Sequence, residues 1–194
     1  QQHFIDSADL KYQAAQALSQ PITAAVQAIW ACVTNGAKVL ACGSGPSAAQ
    51  AQQLAAFCVT GFERERPELA ALALVPDALW LAAATTGAGA DIAALARQVR
   101  ALGQAGDLLL AITIAGNEPA MLEAVQAAHE RDMTVVALTG RDGGALATLL
   151  RETDVQICVP HDRPARVREV HALVLHCLCD GVDAQLLGEQ ENPI

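Results

Sequence analysis

The segment Lys38–Ser47 constrains the fold most. An apolar run, Val39-Leu40-Ala41-Cys42, leads into Gly43-Ser44-Gly45-Pro46-Ser47 and then into a stretch with helical spacing, which predicts a strand, a tight loop and a helix. Two glycines let the backbone take positive φ and approach a ligand closely, and Ser47 stands where a helix N-cap belongs, with N–H groups that would face an anion. A phosphate fits such a loop. A plain α/β crossover also uses glycines there simply to close its turn, so the remainder of the chain has to decide.

On either side of this loop, apolar runs alternate with helical periodicity. His3–Leu18 carries Phe4, Ile5, Ala8, Tyr12, Ala15 and Leu18 near helical spacing, and a second helix runs from Pro21 to Thr34, ended by Asn35-Gly36. Two helices thus precede the first strand, an arrangement suited to assembly. After the helix from Ser47 to Thr60, Glu63-Arg64-Glu65-Arg66-Pro67 reads as a solvated connector or a subunit contact. Ala71–Val75 is the second strand, Asp77–Thr85 a short helix, and Gly87-Ala88-Gly89-Ala90 a joint before Asp91 caps the helix reaching Leu102. Leu108–Thr113 is a continuous apolar strand, followed by Ala115-Gly116-Asn117, a helix over Glu118–Arg131, a strand at Thr134–Leu138 and the loop Gly140–Gly144. Val155–Val159 is the fifth strand, and the last helix spans Pro164–Leu187. The alternation implies one α/β domain: a five-stranded parallel sheet, doubly wound and flavodoxin-like, flanked by helices. The helical pair over residues 1–36 belongs to that domain, whose main body is residues 37–194. Ligands then belong at the carboxyl ends of the strands, where Gly43–Ser47 and Thr113–Glu118 fall.

Composition narrows the functional classes. A net charge of −9 and the lack of a basic stripe disfavour direct nucleic-acid binding. With 53% hydrophobic but only 3% aromatic residues, the core must be built by close packing of small side chains. The six cysteines (Cys32, Cys42, Cys58, Cys158, Cys177, Cys179) lack zinc or redox spacing and read as reduced core residues. Together with the lack of a signal peptide or a charge-free run of 18 apolar residues, they predict a cytoplasmic protein with no membrane role.

Several motifs in order now carry a resemblance: Cys42-Gly-Ser-Gly-Pro-Ser47, Gly106-Asp-Leu-Leu-Leu-Ala-Ile112, Gly116-Asn117, Leu138-Thr-Gly-Arg-Asp-Gly-Gly144 and Val159-Pro160. Together they resemble the sugar isomerase (SIS) domain family, in its phosphoheptose isomerase branch. The resemblance implies sugar-phosphate binding by Ser44, Gly45, Ser47, Thr113, Gly116 and Asn117. Aldose–ketose isomerisation needs groups that move a proton between adjacent carbons. The isomerase pattern assigns these to a Glu on the helix after the glycine loop and a His on the last helix, with zinc held by a His, that Glu, a Gln and the last-helix His. At those positions this chain has Gln53, Phe57, Arg168 and His176. Phenylalanine carries no proton and arginine does not ligate zinc, so the resemblance implies a lost zinc site, no cofactor, and His176 as a vestigial catalytic candidate. The family's Ser-Thr-Ser-Gly-Asn-Ser loop reads Thr113-Ile-Ala-Gly-Asn-Glu118, which removes hydroxyls and sets a carboxylate at a helix N-terminus, where it repels a phosphate.

Arg64-Glu-Arg-Pro67, Gln98–Gly103, Arg131–Gly140 and Cys177–Asp180 lean towards a non-enzymatic group in that branch, the DiaA type, which resemblance describes as homotetrameric and binding the replication initiator DnaA. The leading expectation is therefore a homotetrameric, non-catalytic scaffold that gathers DnaA, contacted by an exposed apolar pair, Leu186 and Leu187. Packing of that pair within the chain or against a neighbouring subunit is the alternative. A sedoheptulose 7-phosphate isomerase using His176 and a different carboxylate such as Asp91, or a sugar-phosphate sensor without turnover, are the alternative functions. His171, five residues before His176, does not share its helix face, and His3, His129 and His161 read as surface or turn residues.

Overall fold

The structure, a computed structural model, describes residues 1–75 and 92–188. The expected short helix at Asp77–Thr85, the Gly87–Ala90 joint, Asp91 and the polar tail after Gly188 lie outside these residues. In chain order the described elements are α1 (Gln2–Ala17), α2 (Ser19–Thr34), β1 (Val39–Gly43), α3 (Ser47–Thr60), β2 (Ala71–Ala73), α4 (Ala93–Leu102) and β3 (Leu108–Ile112). They continue with α5 (Pro119–Glu130), β4 (Thr134–Gly140), α6 (Gly144–Leu149), β5 (Val155–Val159) and α7 (Pro164–Leu187). All five strands pair in parallel in the order β2-β1-β3-β4-β5, so the expected doubly wound sheet is present. The winding reverses between β1 and β3, the switch point at which such sheets open a crevice.

The strands alternate side chains between the faces, and each face has its own core. Val39, Ala41, Leu108, Leu110, Val136 and Leu138 pack beneath the layer of α1, α2, α3 and α7. Leu40, Cys42, Leu109, Ala111, Val135 and Ala137 face the layer of α4, α5 and α6. Both faces are therefore covered, which is why β1 and β3 read as unbroken apolar runs. Small side chains allow close approach: Ala124, Ala127 and Ala128 of α5 are wholly buried, and a Cβ on Gly181 of α7 would stand 2.7 Å from Val26 of α2. By length and mean hydropathy α7 resembles a spanning helix, but it carries Arg166, Arg168, Glu169, Asp180 and Asp183, so no charge-free run of 18 apolar residues occurs in it, and Val167, Val170, Val174, Leu175, Leu178 and Val182 are buried in the core.

Four further expectations are corrected. The Glu63–Arg66 segment is no simple solvated link: the Arg66 side chain is 1% exposed and pairs with Asp183 of α7 at 2.5 Å. His129 is buried, with Nε2 2.7 Å from Asp154 Oδ2, a carboxylate that also accepts the N–H groups of Val135 and Arg151 and so ties α5 to the starts of β4 and β5. Among the cysteines Cys177 is exposed and Cys158 half-buried, and only the other four are core residues. Leu186 and Leu187 do not form an exposed pair: Leu186 packs against the core and Leu187 alone is exposed.

Candidate functional site at the carboxyl edge of the sheet

The β1–α3 and β3–α5 loops lie side by side because the Ser44 N–H bonds to the Ile112 carbonyl at 3.1 Å. A Cβ on Gly43 would fall 2.4 Å from the Ser47 carbonyl group, so only glycine lets the first loop fold back on itself. The N-cap is Pro46, and Ser47 is the first helical residue. The N–H groups of Ser47, Ala48 and Ala49 bond to the carbonyls of Ser44, Gly45 and Pro46 at 3.1, 3.0 and 3.3 Å. They close the turn and do not face an anion as the spacing suggests. The Ser47 hydroxyl is fully buried and without a hydrogen-bond partner among the described residues, whereas Ser44 is half-buried and Gly45 exposed.

The second loop is closed by its own side chains. Gly116 N–H donates to Thr113 Oγ1 at 3.1 Å, and Thr113 donates to Glu118 Oε2 at 2.5 Å. The Asn117 N–H donates to the same Glu118 oxygen at 3.1 Å. Both ends of the Asn117 amide are engaged: Nδ2 donates to the Ala115 carbonyl at 3.2 Å and Oδ1 accepts the Ala145 N–H at 2.9 Å. Asn117 thereby fastens the second loop to the Gly140–Gly144 loop. Gly116, at φ 70°, makes this possible, since a Cβ there would sit 2.0 Å from the Gly143 carbonyl oxygen.

Arg141 has no role in the sequence reading. It takes φ 60°, its N–H bonds to the Val159 carbonyl at 3.0 Å, and it lines an open cleft with Asn117, Asp142, Pro160, His161 and Asp162. Its signal in the sequence is a lone cation between a strand and two glycines at the functional edge. His171 is fully buried against the end of β4, with Nε2 3.0 Å from the Thr139 carbonyl. Burial holds its imidazole neutral, down to about 4.

His176 stands apart from these loops. It lies twelve residues into α7, about 18 Å along the axis, and Phe57 lies ten residues beyond Ser47, about 15 Å along α3. The His176 ring stacks on Phe62 with centroids 5.2 Å apart and meets the edge of Phe57 at 6.0 Å. Phe57 and Phe62 touch edge to face at 5.0 Å. The wall is therefore aromatic where a carboxylate is needed to hold a metal, and among the described residues no three His, Cys, Asp or Glu side chains cluster to bind one. The zinc of the isomerase pattern does not fit these residues.

Comparison with known proteins bears on the function. The SIS domain family profile matches residues 2–140. A phosphoheptose isomerase of Methylibium petroleiphilum is 60% identical over 98% of this chain and 95% of its own length, and one from Azoarcus sp. is 51% identical over 97% and 95%. The solved structure of phosphoheptose isomerase GmhA from Neisseria gonorrhoeae superposes with a TM-score of 0.87 at 46% identity, covering 94% of this chain and 95% of that one. A phosphoheptose isomerase structure from Francisella tularensis gives 0.88 at 41% identity with the same coverage. These findings overturn the expectation of a non-catalytic scaffold with DnaA as partner, which weighs the loss of single side chains above similarity along the whole chain. With nearly its full length matched in sequence and in fold, the chain belongs to the SIS domain family and has phosphoheptose isomerase homologues at high identity.

Proposed function

We propose that this chain is a sugar-phosphate isomerase that interconverts sedoheptulose 7-phosphate and D-glycero-D-manno-heptose 7-phosphate. One observation carries the reading: identity of 48–60% over nearly the whole chain with relatives named phosphoheptose isomerase. Ser44, Gly45, Ser47, Thr113, Gly116 and Asn117 form the two loops that receive the sugar phosphate, and Arg141 supplies the cation at the same edge. The reaction moves a proton between neighbouring carbons. His176 is the group able to carry it; standing about 18 Å along α7 from the loops of its own chain, it would serve a substrate held by the loops of a second copy of the chain, and Phe57 beside it takes no proton.

The reaction proceeds without zinc, because Gln53, Phe57 and Arg168 do not complete a donor set around His176. Elemental analysis of the purified protein is expected to find far less than one zinc per chain. One zinc per chain, lost in His176→Asn, would contradict this. The chain also self-associates: α1 buries only Leu10 and Ala14 while leaving Phe4 at 83% and Tyr12 at 80% exposure. A homotetramer in the cytoplasm is the expected form. Incubation of the purified protein with sedoheptulose 7-phosphate tests the function: formation of the aldoheptose phosphate supports it, and substrate left intact at saturating concentration defeats it.

A further inference from the structure

We infer that Glu118 is a tethered anion that occupies the phosphate position of the β3–α5 loop, so that a sugar phosphate binds there only by displacing it. The inference rests on the reading that this loop receives the phosphate. Three groups able to hold an anion at the start of α5 are already engaged. Thr113 Oγ1 and the Asn117 N–H both point their hydrogens at Glu118 Oε2, and the Gly116 N–H is turned inward onto Thr113. The carboxylate stands at the N-cap of α5, with the helix dipole favouring negative charge there. It satisfies in the free protein the donors that a phosphate oxygen would seek. In the adjoining β1–α3 loop, the buried Ser47 hydroxyl has no hydrogen-bond partner among the described residues. The edge therefore holds one donor set that is filled and one hydroxyl that is not.

The consequence is a specificity filter. A ligand must offer an anion strong enough to displace the carboxylate, and weakly charged or uncharged sugars gain nothing from the loop. Removing the charge while keeping the shape, in Glu118→Gln, frees the donors from their strongest acceptor. Glu118→Ser removes the tether altogether.

Calorimetric titration of the folded chain with inorganic phosphate, and with sulfate as a second probe, tests this. Both variants are expected to bind phosphate about tenfold more tightly than the wild type, the order of a like charge removed from a helix N-terminus. Adding Thr113→Val to Glu118→Gln is expected to abolish the gain, which places the anion at this loop. Unchanged or weaker binding in both Glu118 variants overturns the inference, as does a gain that survives Thr113→Val. Circular dichroism establishes that each variant is folded, and Glu118→Ser serves if Glu118→Gln does not fold. The outcome is separable from that of the isomerase reading, since anion affinity and heptose phosphate turnover are measured independently. Turnover without any gain in phosphate affinity sinks only the tethered-anion inference, whereas a gain without turnover sinks only the isomerase.

Discussion

At Arg66 the guanidinium is buried and donates to Asp183 Oδ1 and to the carbonyls of Phe57, Cys58 and Pro67. It closes the C-terminal end of α3, fastens that end to α7, and so sets the position of Phe57 opposite His176. Arg66→Met leaves the Asp183 carboxylate buried and uncompensated, and urea unfolding is expected to show a loss of about 3–5 kcal/mol. Arg66→Met combined with Asp183→Leu is expected to recover most of it, because an apolar pair carries no desolvation cost. Nothing near Arg66 in sequence announces this role. Its partner lies 117 residues away, and a charged stretch flanked by a proline reads as solvated until the fold brings α7 beside it. His129 reads as a surface residue for the same reason, its partner Asp154 being 25 residues on, in the turn before β5. Phe57 and His176 are legible as residue types, but their stacking with Phe62 depends on the connector after α3 turning back across the helix.

At the level of elements, the loops at the carboxyl edge are held by backbone-to-backbone approach. Gly116→Ala and Gly36→Ala compare two glycines of similar φ, 70° and 75°, in different surroundings. A Cβ on Gly36 would meet no atom within 4 Å, so that substitution costs the left-handed backbone term alone, about 1–2 kcal/mol. Gly116→Ala adds a collision with the Gly143 carbonyl, and thermal unfolding is expected to show a clearly larger loss, with the Gly140–Gly144 loop displaced. The elements themselves are readable because their signals are local. Unbroken apolar runs mark the parallel strands, and alanine-rich helical spacing marks their covers. The short helix α6 is not legible, because Gly144–Leu149 is only a turn and a half and begins in a glycine loop. The loops give away their location but not their state. Glycine and hydroxyl residues at strand ends point to an anion, whereas the turn bonds of Ser47, Ala48 and Ala49 are settled by tertiary geometry.

For the molecule as a whole, acid stability turns on His171. The unfolded chain takes up a proton there near pH 6.5, and the folded chain does so only at about pH 4. The contribution is therefore complete above pH 6.5 and falls as the pH drops towards 4, by roughly 3 kcal/mol over that window. Urea titrations at pH 7 and pH 5 are expected to differ accordingly, and His171→Leu is expected to flatten the difference. The most direct measurement follows sedoheptulose 7-phosphate with the purified protein in deuterium oxide by proton NMR. Isomerisation by proton transfer predicts the aldoheptose phosphate with solvent deuterium at the carbon next to the carbonyl, and a kcat reduced at least about a hundredfold in His176→Asn. Substrate that neither converts nor exchanges a proton at saturating concentration would contradict the account.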